Sequence, residues 1–201
     1  MDFDAKARTW DADPAKVERA ERVAAAIRRE APVGPSTTAF EYGCGTGLLG
    51  FALQPYVKHL TLADASDGML DVLREKIAAT GARNMTPVRL DLLVDAAPDA
   101  TFDLVCTLLT LHHVRDVDLV LRRFHGLLAP GGHACLSDLD AEDGSFHGPG
   151  VDVHHGFDRA DLARRLERAG FRDVRFTTPC EIVKGVDARR YPVFLAVARR
   201  G

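Results

Sequence analysis

The feature that most constrains this chain is an alternation that runs through most of its length. Short apolar runs at residues 37–42, 60–63, 87–90, 102–107 and 132–136 are flanked by Gly, Pro or Asp and carry few charges, so they read as buried strands. Helical spacing fills the intervals. Residues 67–79 put Leu70, Leu73 and Ile77 on one face with Gly81 just past the end, and residues 116–128 align Val117, Leu121, Phe124 and Leu128. A further helix over 158–169 starts at a candidate cap, Asp158, and stops at Gly170-Phe171; terminal strands follow near 173–178 and 191–199. Ahead of the first strand, Asp13-Pro14 opens a helix whose stripe of Val17, Ala20, Ala24 and Ile27 runs to about Arg29, before Pro32, Gly34 and Pro35 break it. Strands alternating with helices predict an α/β fold: a doubly wound, mostly parallel sheet with helices on both faces.

At 201 residues, with 46% apolar and 27% charged residues, the chain is expected to form one globular domain. Its net charge of −3 supplies no field to draw in phosphate backbones or anionic membranes. The opening Met1-Asp2-Phe3-Asp4 is not basic, and no apolar run nears the ~18 residues of a membrane span. Neither nucleic acid nor membrane is therefore an expected partner, and the expected location is cytoplasmic. Cys44, Cys106, Cys135 and Cys180 lie far apart with no C-x-x-C pair, which fits free thiols in a reducing compartment.

In a doubly wound sheet, ligands sit outside the carboxyl ends of the strands where the strand order reverses, and the first strand-to-helix turn is the expected place. Here that turn is Glu41-Tyr42-Gly43-Cys44-Gly45-Thr46-Gly47. Its alternate glycines are expected to remove the Cβ atoms that would hold a ligand off the backbone, and a helix opening near Gly47 to offer free N–H groups. Asp64, 21 residues after Gly43, closes the second strand, where a carboxylate can accept from both hydroxyls of a ribose. Asp91 is expected to close the third strand and, with the Leu92 N–H, to meet an adenine edge; capping the next turn is its other reading. Gly45-Thr46-Gly47-Leu48-Leu49-Gly50 also matches the dinucleotide fingerprint G-x-G-x-x-G. A nicotinamide oxidoreductase thus stays open at this level, as does a cofactor-binding partner without catalysis. No Tyr-x-x-x-Lys pair, phosphate loop or nucleophile elbow is present.

Taken in order over about residues 37–140, several motifs resemble the class I methyltransferases that use S-adenosyl-L-methionine. They are Glu41-x-Gly-x-Gly-x-Gly47, Asp64 followed by Ser66 and Met69, Asp91, Phe102-Asp-Leu-Val105, His112-His113 and Leu128-x-Pro-Gly-Gly132. The resemblance implies a Rossmann-like sheet of seven strands with the last antiparallel, a methyltransferase domain over 36–201, and a helical segment over 1–35 that closes over the cofactor, bringing Trp10 to it. It implies that Glu41 orients the methionine end, with Gly43, Cys44, Gly45 and Gly47 lining its path. Asp64 and Ala65 would meet the ribose, Met69 would pack near the adenine, and Asp91 with Leu92 would complete adenine recognition. The Thr107 backbone would face the methionine amino group, and His112 and His113 would lie beside the reacting methyl. Residues 140–156, with Glu142-Asp-Gly-Ser-Phe-His147, are similar to a segment of a small-molecule branch of the family, that of the ubiquinone and menaquinone C-methylases, which names no substrate.

Methyl transfer from a sulfonium is an in-line displacement with a good leaving group, so alignment and desolvation supply much of the acceleration and a base is optional. Where a base is needed, His112, His113 and His147 are the candidates. From Phe124 to Asp158 there is no Lys or Arg, yet the stretch holds Asp138, Asp140, Glu142, Asp143, Asp152 and Asp158. Part of it is expected to line the acceptor mouth and to favour a small neutral or cationic acceptor over nucleic acid. His147, His154 and His155 with these carboxylates have no compact ligand spacing, so no metal is expected.

Overall fold

The computed structural model describes residues 2–148 and 150–201; Met1, the first residue of the predicted lid segment, lies outside them. Among the described residues seven strands form one sheet: β1 (Thr38–Tyr42), β2 (His59–Asp64), β3 (Met85–Arg89), β4 (Phe102–Leu108), β5 (Leu128–Leu139), β6 (Phe171–Lys184) and β7 (Arg189–Arg200). Their spatial order is β3-β2-β1-β4-β5-β7-β6. The first five run parallel, and β7 inserts antiparallel between β5 and β6.

The helices begin where short polar side chains satisfy free amides. Asp13 accepts from Ala15 N at 3.0 Å to open α1 (Pro14–Glu30), with Pro14 at the first helical position. After the six-residue α2 (Leu48–Leu53), Ser66 accepts from Met69 N at 3.1 Å to open α3 (Asp67–Thr80), which Gly81 ends with a φ of 67°. Asp116 and Asp158 open α4 (Val117–Leu127) and α5 (Arg159–Arg168) in the same way. Strand alternation then feeds two cores. Ala39, Leu104 and Leu195 face the layer of α1, α2 and α3, whereas their neighbours Phe40, Val105 and Phe194 face α4 and α5. Helix α1 buries Ala20, Val23, Ala24 and Ile27, so it is a working part of the first layer.

Three differences from the sequence expectation bear on the site. β3 stops at Arg89, so Asp91 lies two residues beyond the strand instead of closing it. β6 and β7 form a longer hairpin than expected, because register shifts at Arg172/Arg175 and Thr177/Cys180 break the alternation that marks a strand. Asp4–Ala12 forms a 3-10 helix, which has no apolar periodicity to announce it.

β1 is flanked by β2 on one side and β4 on the other, so the loops leaving β1 and β4 diverge and open a crevice at the strand order's reversal. Leu195→Ala, in the inserted β7, is expected to lower stability by about 2–5 kcal/mol in urea unfolding. A loss below about 0.5 kcal/mol would show that β7 is not a central strand.

Candidate active site

A cavity of about 970 Å³ fills that crevice. Its floor is the ends of β1, β2 and β4: Glu41, Gly43 and Cys44, then Asp64 and Ala65, then Leu108, Leu109 and Thr110. Gly45, Met69 and Asp91 complete the side toward α3, and Trp10 lies on the wall opposite the sheet.

Asp64 anchors the glycine loop. Its Oδ2 accepts from Gly45 N at 2.7 Å and its Oδ1 from Ser66 N at 2.9 Å, leaving further lone pairs directed at the cavity. Burial raises its pKa, against the pull of the backbone amides. The three loop glycines serve different ends. A Cβ on Gly43 would lie 2.2 Å from the Thr110 side chain, and one on Gly47 would lie 2.5 Å from Leu73, so both are small because the protein itself packs there. Only at Gly45, with a φ of 55°, would a Cβ enter open space, its nearest neighbour Met69 Sδ at 3.9 Å. Gly47 accordingly lies off the cavity wall, correcting the expectation that it lines the cofactor path.

Glu41 is 2% exposed, and its Oε2 has no hydrogen-bond partner among the described residues. Burial, and then the charge of Asp64, push its carboxyl up to about 8, against the opposing pull of the Gly50 backbone and Lys76. Two more expectations need correction. Leu92 is in the core, off the wall, and its N–H is directed to Tyr42 Oη at 3.3 Å; Leu93 takes its place on the cavity. Asp91 accepts from Leu93 N at 2.9 Å, which is the turn-capping reading, although it does face the cavity. Thr107 is fully buried, and β4 runs one residue further before Leu109 turns the chain with a φ of 53°. Leu108, Leu109 and Thr110 therefore occupy the wall that the sequence assigned to Thr107. A left-handed leucine carries no sequence signal that could have announced it.

At the other wall the 3-10 turn Leu111–His113 brings His112 and His113 to the cavity, and the loop after β5 brings Phe146 and His147 to meet them. His112 Nδ1 lies 2.7 Å from Asp138 Oδ1, both side chains buried. Burial, then His112 and His147, push the His113 imidazole down to about 3, and burial also lowers His147. His154 and His155 lie off this wall: His154 Nε2 is 2.9 Å from the Val114 carbonyl.

The remaining acidic residues of the loop do not line the mouth. Asp140 binds Arg159, Asp143 binds Arg189, Asp152 pairs with Arg115, and Asp158 caps α5. Among the described residues of the stretch 140–158, only Phe146 and His147 reach the cavity, whose outer wall instead carries Lys16, Arg19, Arg22 and Lys184 beside Glu18 and Glu181. The carboxylates of Asp140, Asp143, Asp152 and Asp158 therefore set no acceptor charge at the cavity, contrary to the expectation from sequence.

The strap Asp4–Ala12 spans the opening. Asp4 Oδ1 accepts from Gly68 N at 2.8 Å, at the start of α3. Asp11 holds Lys76 at 2.6 Å and accepts from Thr46 Oγ1 of the glycine loop. Phe3 meets Trp10 and His113 edge-on at ring separations of 6.1 and 5.2 Å.

An adenosyl sulfonium fits these residues: Asp64 has acceptor capacity for ribose hydroxyls, the unpartnered Glu41 suits an ammonium, and open space adjoins the Gly45 backbone. Residues 40–134 match a methyltransferase domain model. An uncharacterised methyltransferase of Schizosaccharomyces pombe is 27% identical over 167 residues, 75% of this chain and 59% of that protein. The chain spans between 49% and 59% of the length of the curated relatives it matches first. A Haemonchus contortus phosphoethanolamine N-methyltransferase solved with S-adenosyl-L-methionine is similar in fold, with a TM-score of 0.74 at 14% identity over 100% of this chain and 60% of that one. So is the N-methyltransferase NodS of Bradyrhizobium japonicum solved with S-adenosyl-L-homocysteine, with a TM-score of 0.68 at 19% identity over 93% and 86% of the two chains. The antiparallel β7 inside the sheet agrees with that fold and departs from the six-strand order 3-2-1-4-5-6 of dinucleotide-binding domains. The chain is thus similar to methyltransferase domains over residues 40–134 and shares the fold of the solved methyltransferases.

Proposed function

We propose that the chain moves the methyl group of S-adenosyl-L-methionine to a small-molecule acceptor. The carrying observation is one continuous cavity walled both by the Asp64–Gly45 anchor and by three imidazoles. When bound, the cofactor supplies a methyl on a cationic sulfur; the S–CH₃ bond breaks with its electron pair going to sulfur as the acceptor–CH₃ bond forms. Asp64 accepts from the ribose hydroxyls, Ala65 and Met69 flank the nucleoside, and Asp91 meets the adenine side. Glu41 takes the methionine ammonium, and the open flank of Gly45 with Cys44 lets the ligand lie against the backbone. His112, His113 and His147 handle the acceptor.

The strap is the lid of a methyltransferase domain formed by residues 36–201, and with Trp10 and Phe3 it excludes water once ligands are in place. A cavity of about 970 Å³ has room for the cofactor and one further small molecule. Glu18 and Glu181 stand among the cations of the outer wall, so the mouth offers no uniformly basic face to a phosphate backbone. Among the described residues no helix is long and apolar enough to cross a membrane.

Two measurements follow from these roles. Asp64→Ala removes charge-assisted hydrogen bonds worth about 1.5–3 kcal/mol each, so the Kd for S-adenosyl-L-homocysteine should rise about 10–100-fold in calorimetry while NADH leaves the wild type unsaturated. Unchanged affinity in the variant, or tight NADH binding, contradicts the assignment. For Glu41, a carboxyl raised from its ordinary 4.5 to about 8 is protonated in the ligand-free protein at pH 7, whereas an ammonium beside it favours the carboxylate. Binding should therefore release a proton at pH 7, read from the dependence of calorimetric heat on buffer ionisation, and Glu41→Gln should abolish that release. By linkage, ligand-free stability should fall as pH rises from about 4.5 through 8, and the same substitution should flatten that slope.

A further inference from the structure

Three imidazoles from two separate segments converge where the acceptor should lie. One ring nitrogen from each of His112, His113 and His147 lies within 4.8 Å of those of the other two. The ring centroids are 4.1 Å apart for His112 and His113, 5.0 Å for His112 and His147, and 5.3 Å for His113 and His147. Packing imidazoles together for apolar contact alone explains the cluster poorly, because His147 Nε2 is buried with no hydrogen-bond partner. Such an orphaned polar atom carries a desolvation cost that a ligand would recover.

The buried carboxylate behind the cluster is the second observation. Asp138 is 0% exposed and accepts from the His112 backbone N–H at 3.2 Å as well as facing His112 Nδ1. With Nδ1 engaged by that carboxylate, Nε2 is the ring nitrogen left to face a ligand, the carboxylate–histidine arrangement that orients imidazoles on metals.

We propose that His112, His113 and His147 together bind one divalent transition-metal ion of the zinc class, with an open position on the cavity. An all-imidazole set selects zinc, cobalt, nickel or copper over magnesium or calcium, which require oxygen ligands. Three nitrogens at metal–nitrogen bonds of about 2.0–2.1 Å stand roughly 3.3 Å apart in tetrahedral geometry, so the widest pair has to close by at most about 1.5 Å. His147 supplies that movement, since it sits on a loop turn held through Glu142, while His112 and His113 are fixed at the end of β4. The ion-binding claim stands on these side chains alone. Its use, holding an acceptor oxygen or sulfur at the open position, rests on the methyl-transfer reading of the cavity.

The test uses tag-free, full-length protein stripped with a chelator, titrated with zinc against a chromophoric competitor and with cobalt(II) by visible absorption. One equivalent per chain and a tetrahedral cobalt spectrum are expected. His147→Ala and His113→Ala should each weaken zinc binding more than 10-fold, and Asp138→Asn should weaken it about 10–100-fold. His59→Ala, on the distant edge of β2, should leave it unchanged. S-adenosyl-L-homocysteine affinity, measured on every sample, reports folding and the cofactor site separately. Sub-stoichiometric binding, or binding that survives the double replacement of His113 and His147, in samples that still bind S-adenosyl-L-homocysteine, overturns the metal site and leaves the methyltransferase assignment standing. Zinc binding in protein that ignores S-adenosyl-L-homocysteine supports the metal site and removes its role in methyl transfer.

Discussion

Parallel pairing of β1 with β2 on one side and β4 on the other is the constraint from which the rest of the molecule follows. The register sets Glu41 opposite Leu62 on one strand and Cys106 on the other, so both flanking strands end near the same level. Their loops then have to part, and the space between them is the cavity. The hydrogen bond from Gly45 N to Asp64 fixes the glycine loop across one side of it. The turn after Leu109 fixes the histidines across the other. Neither side could be moved without re-registering the centre of the sheet.

Burial against that frame explains why polar groups here are unusual. Glu41 and His113 are forced toward their neutral forms because the site is walled by a packed sheet and roofed by the strap. On the methyl-transfer reading, both await partners that arrive with a ligand: a cation for Glu41, a lone-pair acceptor for the imidazoles. The strap itself is held by charged contacts at its two ends, Asp4 on the start of α3 and Asp11 between Thr46 and Lys76. Contacts of that kind near the surface are individually weak.

Much of this was legible in the sequence because it rests on local rules. Asp13, Ser66, Asp116 and Asp158 open helices in the structure by the capping chemistry of their residue types, and the buried strands at β1, β2 and β4 are short apolar runs with punctuation on each side. What the sequence hid depends on tertiary contact. Gly47 looks like a ligand-facing residue until Leu73 is seen to need its space, and Gly43, although on the cavity floor, is kept small by Thr110. Thr107 looked like the end of a strand that in fact continues, and the acidic loop looked like an acceptor mouth until its carboxylates were found paired with arginines from α5, β7 and the turn at Arg115. The meeting of His147 with His112 and His113 joins positions more than thirty residues apart, and no spacing rule anticipates it.

The most direct measurement is a crystal structure of the protein with S-adenosyl-L-homocysteine bound. Ribose hydroxyls on the Asp64 carboxylate, the amino group at Glu41 and the thioether sulfur turned toward His112, His113 and His147 are the expected result. A ligand lodged elsewhere, or one whose sulfur points away from the imidazoles, would contradict the account.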